Sequence, residues 1–169
     1  EPISFNAIGG SAEAGVWIVG AEGKTRRTSG WQGDGAVWKA INSHTSTNLY
    51  AVWASPSGVV WAAGEGGTMR RFTRNDAGDY SAAAIEMPTT ATIHALWGSA
   101  DDDVWAVGSA GTIVHWDGAA WTLVDTPHIE DLGTHDLFAI WGVAGSDLWI
   151  AGEDVLAHKG SAAVPEKSR

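Results

Sequence analysis

Four tryptophans, Trp17, Trp61, Trp105 and Trp149, stand 44 residues apart, and no other feature of the sequence limits the fold as tightly. Trp53, Trp97 and Trp141 keep the same interval, each eight residues ahead of its partner. Gly20, Gly64, Gly108 and Gly152 follow the second tryptophan by three residues in every copy, and Ala7, Ala51, Ala95 and Ala139 form a further ladder. A fixed period of some tens of residues marks one supersecondary unit used repeatedly, each unit burying its apolar surface against the next.

Each copy reads as short strands. In the third copy, Ile93 to Trp97 ends at Gly98 and Val104 to Val107 closes at Gly108. Thr112 to Trp116 then leads into Asp117-Gly118, and Trp121 to Val124 stops before Pro127. Asp-Gly between apolar runs signals a hairpin, and no window sustains a 3.6-residue apolar period over helical length. The spacing therefore predicts an all-β chain, a β-propeller of four-stranded blades. The blade repeats span 3–44, 45–89, 90–131 and 132–160, with 161–169 as a C-terminal tail. The fourth is incomplete, because little follows Gly160 and Pro165 interrupts any further strand. Two closures are open: a ring of four blades within this chain, or a share of a larger ring completed by flanking sequence or another chain. The uncovered faces of the first and fourth blades make other protein subunits, or copies of the chain itself, the expected partners.

Composition now has a cause. Blades stacked face to face need bulky apolar residues on both sheet faces, and the chain has 11 Trp against 3 Phe and 2 Tyr. The seven ladder tryptophans, Trp17, Trp53, Trp61, Trp97, Trp105, Trp141 and Trp149, are expected to hold the stack, with an aromatic ligand platform as the other use of such residues. A net charge of −10 excludes binding nucleic acid through its phosphates. The absence of Cys excludes disulfides, thiolate metal sites and cysteine nucleophiles. No apolar run is long enough for a transmembrane segment. The chain opens at Glu1 without a basic n-region or apolar h-region, so a removed leader or a trimmed piece is expected.

Trp97-Gly98, Asp103 to Gly108, Gly111 to Ile113, His115, Asp117-Gly118 and Trp121 together resemble the bacterial BNR-like, Asp-box-related β-propeller repeat family. The resemblance runs from residue 3 to about 160. Gly9 replaces the first tryptophan in copy one, the turn before His158 is one residue short in copy four, and no intact Asp box occurs. The resemblance implies a propeller used for binding or assembly in secreted, periplasmic or cell-envelope proteins and implies no particular ligand; an accessory subunit of an envelope complex and a carbohydrate-binding module are the two uses expected. It also suggests an alternative, a sialidase-like glycoside hydrolase fragment. Such an enzyme needs an arginine cluster and a Tyr/Glu nucleophile pair, and Tyr50 and Tyr80 are the only tyrosines.

The candidate contact residues are few. Arg26-Arg27 recurs as Arg70-Arg71, and His115 and His158 hold the place of Arg27 and Arg71. Such a position either lines a repeated ligand site or anchors a turn by donating to backbone carbonyls. Trp31 lies in a glycine-flanked insertion of copy one, which suggests a loop-borne contact or a ring folded back on its own blade. His94 completes the set of candidate ligand or partner contacts. Of the 20 acidic residues, 13 fall in 86–169, including Asp101-Asp102-Asp103 and Glu130-Asp131. No calcium-loop pattern accompanies them, so they read as a solvated acidic face. The six histidines, including His128 and His135 in one long connection, lack tight metal-ligand spacing. No nucleophile elbow, Walker loop or dinucleotide fingerprint is present. The expectation is a non-catalytic chain with no cofactor and no metal.

Overall fold

A computed structural model describes residues 3–30, 35, 37–126 and 132–160. The first blade comprises β1 (Phe5–Ser11), β2 (Gly15–Gly20), β3 (Thr25–Thr28) and β4 (Lys39–Ile41). The second comprises β5 (Leu49–Ala54), β6 (Val60–Gly64), β7 (Met69–Arg74) and β8 (Tyr80–Ala84). The third comprises β9 (Ile93–Ala100), β10 (Asp103–Gly108), β11 (Ile113–Trp116) and β12 (Trp121–Leu123). The fourth holds β13 (Leu137–Ala144), β14 (Asp147–Gly152) and β15 (Val155–Lys159). Within each blade every strand pairs antiparallel with its sequence neighbour, so the chain is an all-β propeller whose last blade has three described strands.

Short chains of this kind turn tightly, and the turn from second to third strand is left-handed at one place in every blade: Glu22 (φ 55°), Gly66 (62°), Ala110 (53°) and Asp154 (52°). In the first three blades a glycine follows, also at positive φ, which makes the turn of the I′ kind favoured by strand twist. In the fourth blade Val155 follows directly, and Gly152 pairs with Val155 across a two-residue turn.

The blades stack in series. β1 packs on β5, β5 on β9 and β9 on β13, while the second strand of each blade leans on the first strand of the next. No comparable contact joins β13 back to β1. Three apolar seams result. The first gathers Trp17, Val19, Leu49, Val60 and Phe72, and the second Trp61, Met69, Ile93, Trp116 and Trp121. The third gathers Trp105, Val107, Leu137, Leu148 and Ile150. Trp17 and Trp61 are wholly buried. Each removes roughly 150–250 Å² from water, on the order of 4–6 kcal/mol as an upper bound.

The two tryptophan ladders meet across the first two strands. Trp53 lies opposite Trp61, Trp97 opposite Trp105 and Trp141 opposite Trp149, while Gly9 faces Trp17. Trp53 and Trp97 are half-buried. Trp141 and Trp149 hold the same ladder places yet stand 60% and 43% exposed, because no described sheet lies beyond the fourth blade.

Candidate interaction site

The repeated cation position faces the second-strand tryptophan in register: Trp17 with Arg27, Trp61 with Arg71, Trp105 with His115 and Trp149 with His158. The two histidine rings lie against their tryptophans at 4.2 Å between centroids. Arg71 sits 5.5 Å from the Trp61 ring, a cation–π distance. Arg27 sits 5.0 Å from the ring of Tyr80, and its Nε donates to the Ala14 carbonyl at 2.6 Å. Each member is thus engaged inside its own blade or the adjoining seam. The structure does not bring Arg27, Arg71, His115 and His158 together at one place.

A carboxylate travels with the histidine and not with the arginine. Asp103 accepts from Trp105 Nε1 at 2.8 Å, His115 Nε2 at 2.8 Å and the Ser99 hydroxyl. Asp147 likewise accepts from His158 Nε2 at 2.8 Å. In the arginine blades the same position holds Gly15 and Val59. Trp17 Nε1 compensates by donating to Ala14 O at 3.1 Å. In the second blade, Trp61 Nε1 and Arg71 Nε are buried without an acceptor, as is the neighbouring Trp121 Nε1. Burial would raise the Asp103 carboxyl, but the hydrogen bonds from Ser99, His115 and Trp105 outweigh it and hold the group below its ordinary value.

A second row crosses the inner strands at the same 44-residue interval: Asn6, Tyr50, His94 and Phe138. Tyr50 donates to Glu65 Oε1 at 2.7 Å, and His94 Nε2 meets Ser109 Oγ at 3.0 Å. That carboxylate raises the Tyr50 phenol above its ordinary value, with burial adding to the effect. His94 lies 6.2 Å from the Tyr50 ring and 5.3 Å from Phe138, so three blades share one aromatic row. The interval was the signal that could have placed Tyr50 and Phe138 beside His94, but the changing residue types disguised it.

The fourth blade shows the largest apolar exposure. Phe138, Trp141, Val143, Trp149 and Leu156 are all exposed, and at the other end of the stack Ile8 is too. Trp31 and His128 lie outside the described residues. Among the described residues, no three His, Asp or Glu side chains converge as metal ligands, and no helix is long and apolar enough to cross a membrane.

The third seam differs from the other two. Trp17 is covered by Phe72 at 5.0 Å and, edge-on, by Tyr80 at 4.9 Å. Trp61 is covered by Trp116 at 5.1 Å and, edge-on, by Trp121 at 5.4 Å. Phe72 pairs with Val60, Trp116 with Val104 and Lys159 with Leu148, so Lys159 occupies the first covering position over Trp105. Its Nζ lies 4.2 Å from the Trp105 ring. The second cover comes from a fourth strand, from Tyr80 opposite Arg74 in one seam and Trp121 opposite Trp116 in the other. Beside Trp105 a cavity of about 310 Å³ opens instead, lined by Trp105, Ile113, Val124, Leu148, Ile150 and Ala157.

No family model matches the chain, and no curated protein matches it. Solved structures do match. "YCF48 bound to D1 peptide" is similar over 94% of this chain and 51% of its own, at 16% identity and a TM-score of 0.71. YCF48 from Cyanidioschyzon merolae covers 90% of this chain and 49% of its own, at 16% identity and a TM-score of 0.69. The β-propeller domain of Cps50 (Swd1) from Myceliophteria thermophila covers 90% and 49%, at 12% identity and a TM-score of 0.64. The class defined is the β-propeller. The chain spans about half the length of each of these structures.

Proposed function

We propose that the chain is a non-catalytic interaction propeller, an accessory or assembly subunit that docks a protein partner on its fourth blade. The observation that carries the reading is Trp141. Its counterparts Trp53 and Trp97 are covered by the following blade, whereas Trp141 stands 60% exposed on a strand that also exposes Phe138 and Val143. Soluble surfaces rarely carry so many large apolar side chains together without a use for them. The fold class agrees with this use, since one similar structure, YCF48, holds a peptide. Placement in a secreted, periplasmic or envelope setting and membership of the BNR-like repeat family belong to the same proposal and rest on the sequence resemblance, and a glycan ligand is a further part of it that the resemblance does not specify.

The hydrolase alternative has one point in its favour, the Tyr50–Glu65 pair at 2.7 Å. Among the described residues no arginine cluster that would bind a sugar carboxylate is seen. Arg70 donates to the carbonyls of Ser43 at 2.9 Å, Met69 at 2.9 Å and His44 at 3.2 Å, while Arg74 pairs with Glu13. Arg27 and Arg71 are held in the seams as described.

Immobilised chain and its Trp141→Arg variant, exposed side by side to envelope extract, test the proposal. A protein retained by the first and lost from the second is expected. Equal retention, or release of a fluorogenic sialoside leaving group above background, overturns it.

A further inference from the structure

We infer that the outer edge of β15, together with the cavity beside Trp105, is a second binding site, one that takes an extended segment of a partner protein carrying an aromatic side chain. Two independent seams supply the pattern. In each, the second-strand tryptophan is met edge-on by an aromatic residue of the following blade's fourth strand: Tyr80 meets Trp17 at 81° and Trp121 meets Trp61 at 89°. The third seam keeps the tryptophan and a side chain over it but has no edge-on ring among the described residues. Trp105 is in place, Lys159 covers it where Phe72 and Trp116 cover theirs, and the cavity lies against Trp105 with no ring in it.

Backbone and side-chain requirements point to the same occupant. Among the described residues no strand pairs with β15 on its outer side, so its N–H and C=O groups there are open to an added strand. In the other three blades the fourth strand runs antiparallel to the third, so a segment laid on β15 in that direction places a side chain over the cavity. The cavity lining is mostly apolar, with Asp125, Thr126, His158 and Lys159 as its polar members. An aromatic side chain satisfies these walls and meets Trp105 as Tyr80 and Trp121 meet their partners. An isolated aromatic ligand would leave the β15 edge unpaired. A polar segment would leave the cavity unfilled.

This site lies on the face of the fourth blade turned toward the third, away from exposed Trp141, so it can fail without the docking proposal failing. The probe is a synthetic peptide with the sequence Asp-Gly-Ala-Ala-Trp-Thr-Leu-Val-Asp, residues 117–125 of this chain, which bears the tryptophan that fills the equivalent place in the second seam. It is titrated into the full chain, with amide hydrogen exchange followed along Val155–Lys159. Saturable binding below millimolar peptide, slowed exchange on β15 and about tenfold weaker binding of the Trp-to-Ala peptide are expected. Ala157→Phe, which fills the cavity from within, removes the binding, while Trp141→Ala leaves it unchanged. The peptide substitution needs no variant of the chain, so the test stands even if Ala157→Phe does not fold. Equal affinity of the two peptides, unchanged exchange on β15, or loss of binding in Trp141→Ala overturns the inference. So does protection of β15 before any peptide is added, which would mean that residues 161–169 or a second copy already hold the edge.

Discussion

The Cη2 atom of Trp53 stands 2.7 Å from the point where a β-carbon on Gly98 would lie, and that of Trp97 stands 3.0 Å from the same point on Gly142. These glycines are seats for the ring of the preceding blade, and neither is held at a positive φ. Gly98→Ala is therefore expected to cost about 1–3 kcal/mol through overpacking. Gly133→Ala, where a β-carbon meets nothing within 4 Å, is expected to stay within about 0.5 kcal/mol. Urea midpoints of the two variants, compared at equal m-value, decide the matter, and comparable losses would contradict the seat.

Identical ladder positions should differ in stability according to what lies beyond them. Trp61→Ala opens a cavity in a closed seam and should cost about 3–5 kcal/mol. Trp141→Ala removes an exposed ring and should cost under about 1 kcal/mol. Chemical denaturation of both variants measures the difference directly. Similar costs would mean that Trp141 is covered in solution.

The orphaned donors of the second blade suggest a stabilising change. Val59 occupies the place of Asp103, and beside it Trp61 Nε1 and Arg71 Nε are buried without acceptors. Val59→Asp supplies an acceptor for both and should raise stability at neutral pH by about 1 kcal/mol. Thermal melts at neutral and acid pH check this, because the gain must vanish once the new carboxyl is protonated. A lower melting point at neutral pH would sink the idea.

Asp103 makes stability depend on acid in a defined direction. Its carboxyl is held below the ordinary 3.8 in the folded chain, so the folded state favours the ionised form. The contribution is complete above that ordinary value, which describes the unfolded chain, and is lost as pH falls through the lower, folded one. The stability gap between the native chain and Asp103→Asn should thus be flat from about pH 8 to 5 and shrink below about pH 4. Denaturation series at stepped pH supply the curve, and a gap that widens in acid would reverse the assignment.

The period and strand count were legible because they rest on residues such as Trp105 and Gly108 that recur at fixed offsets. Placement within the seams was less so. The one-residue-short turn of the fourth copy, already plain in the sequence, sets Lys159 at the place of Trp116, but nothing in the residue types said that a lysine there would lie over the Trp105 ring. Trp97 and Trp141 look alike in sequence, each followed by glycine, and what separates them is that among the described residues a sheet covers the first and none covers the second. The Asp103–His115 partnership was hidden for another reason. Periodicity shows what is kept, and here the informative fact is a joint change, with Val59 and Arg71 replacing both members at once. The candidate contacts Arg27, Arg71, His115 and His158 were readable as a repeated position, yet a repeat in sequence is spread around the stack in space.

Three seams joined in series also set the order in which the molecule comes apart. Among the described residues each blade packs on those beside it, so the fourth can detach while the first three keep the contacts they make with one another. The seams anchored by Trp17 and Trp61 each carry two aromatic covers, whereas the one anchored by Trp105 carries a lysine and a hollow. Separation is therefore expected to begin at the third seam, with residues 132–160 leaving as one leaf ahead of the rest. A partner that fills the hollow would latch that leaf, coupling recognition at one edge to the integrity of the whole stack.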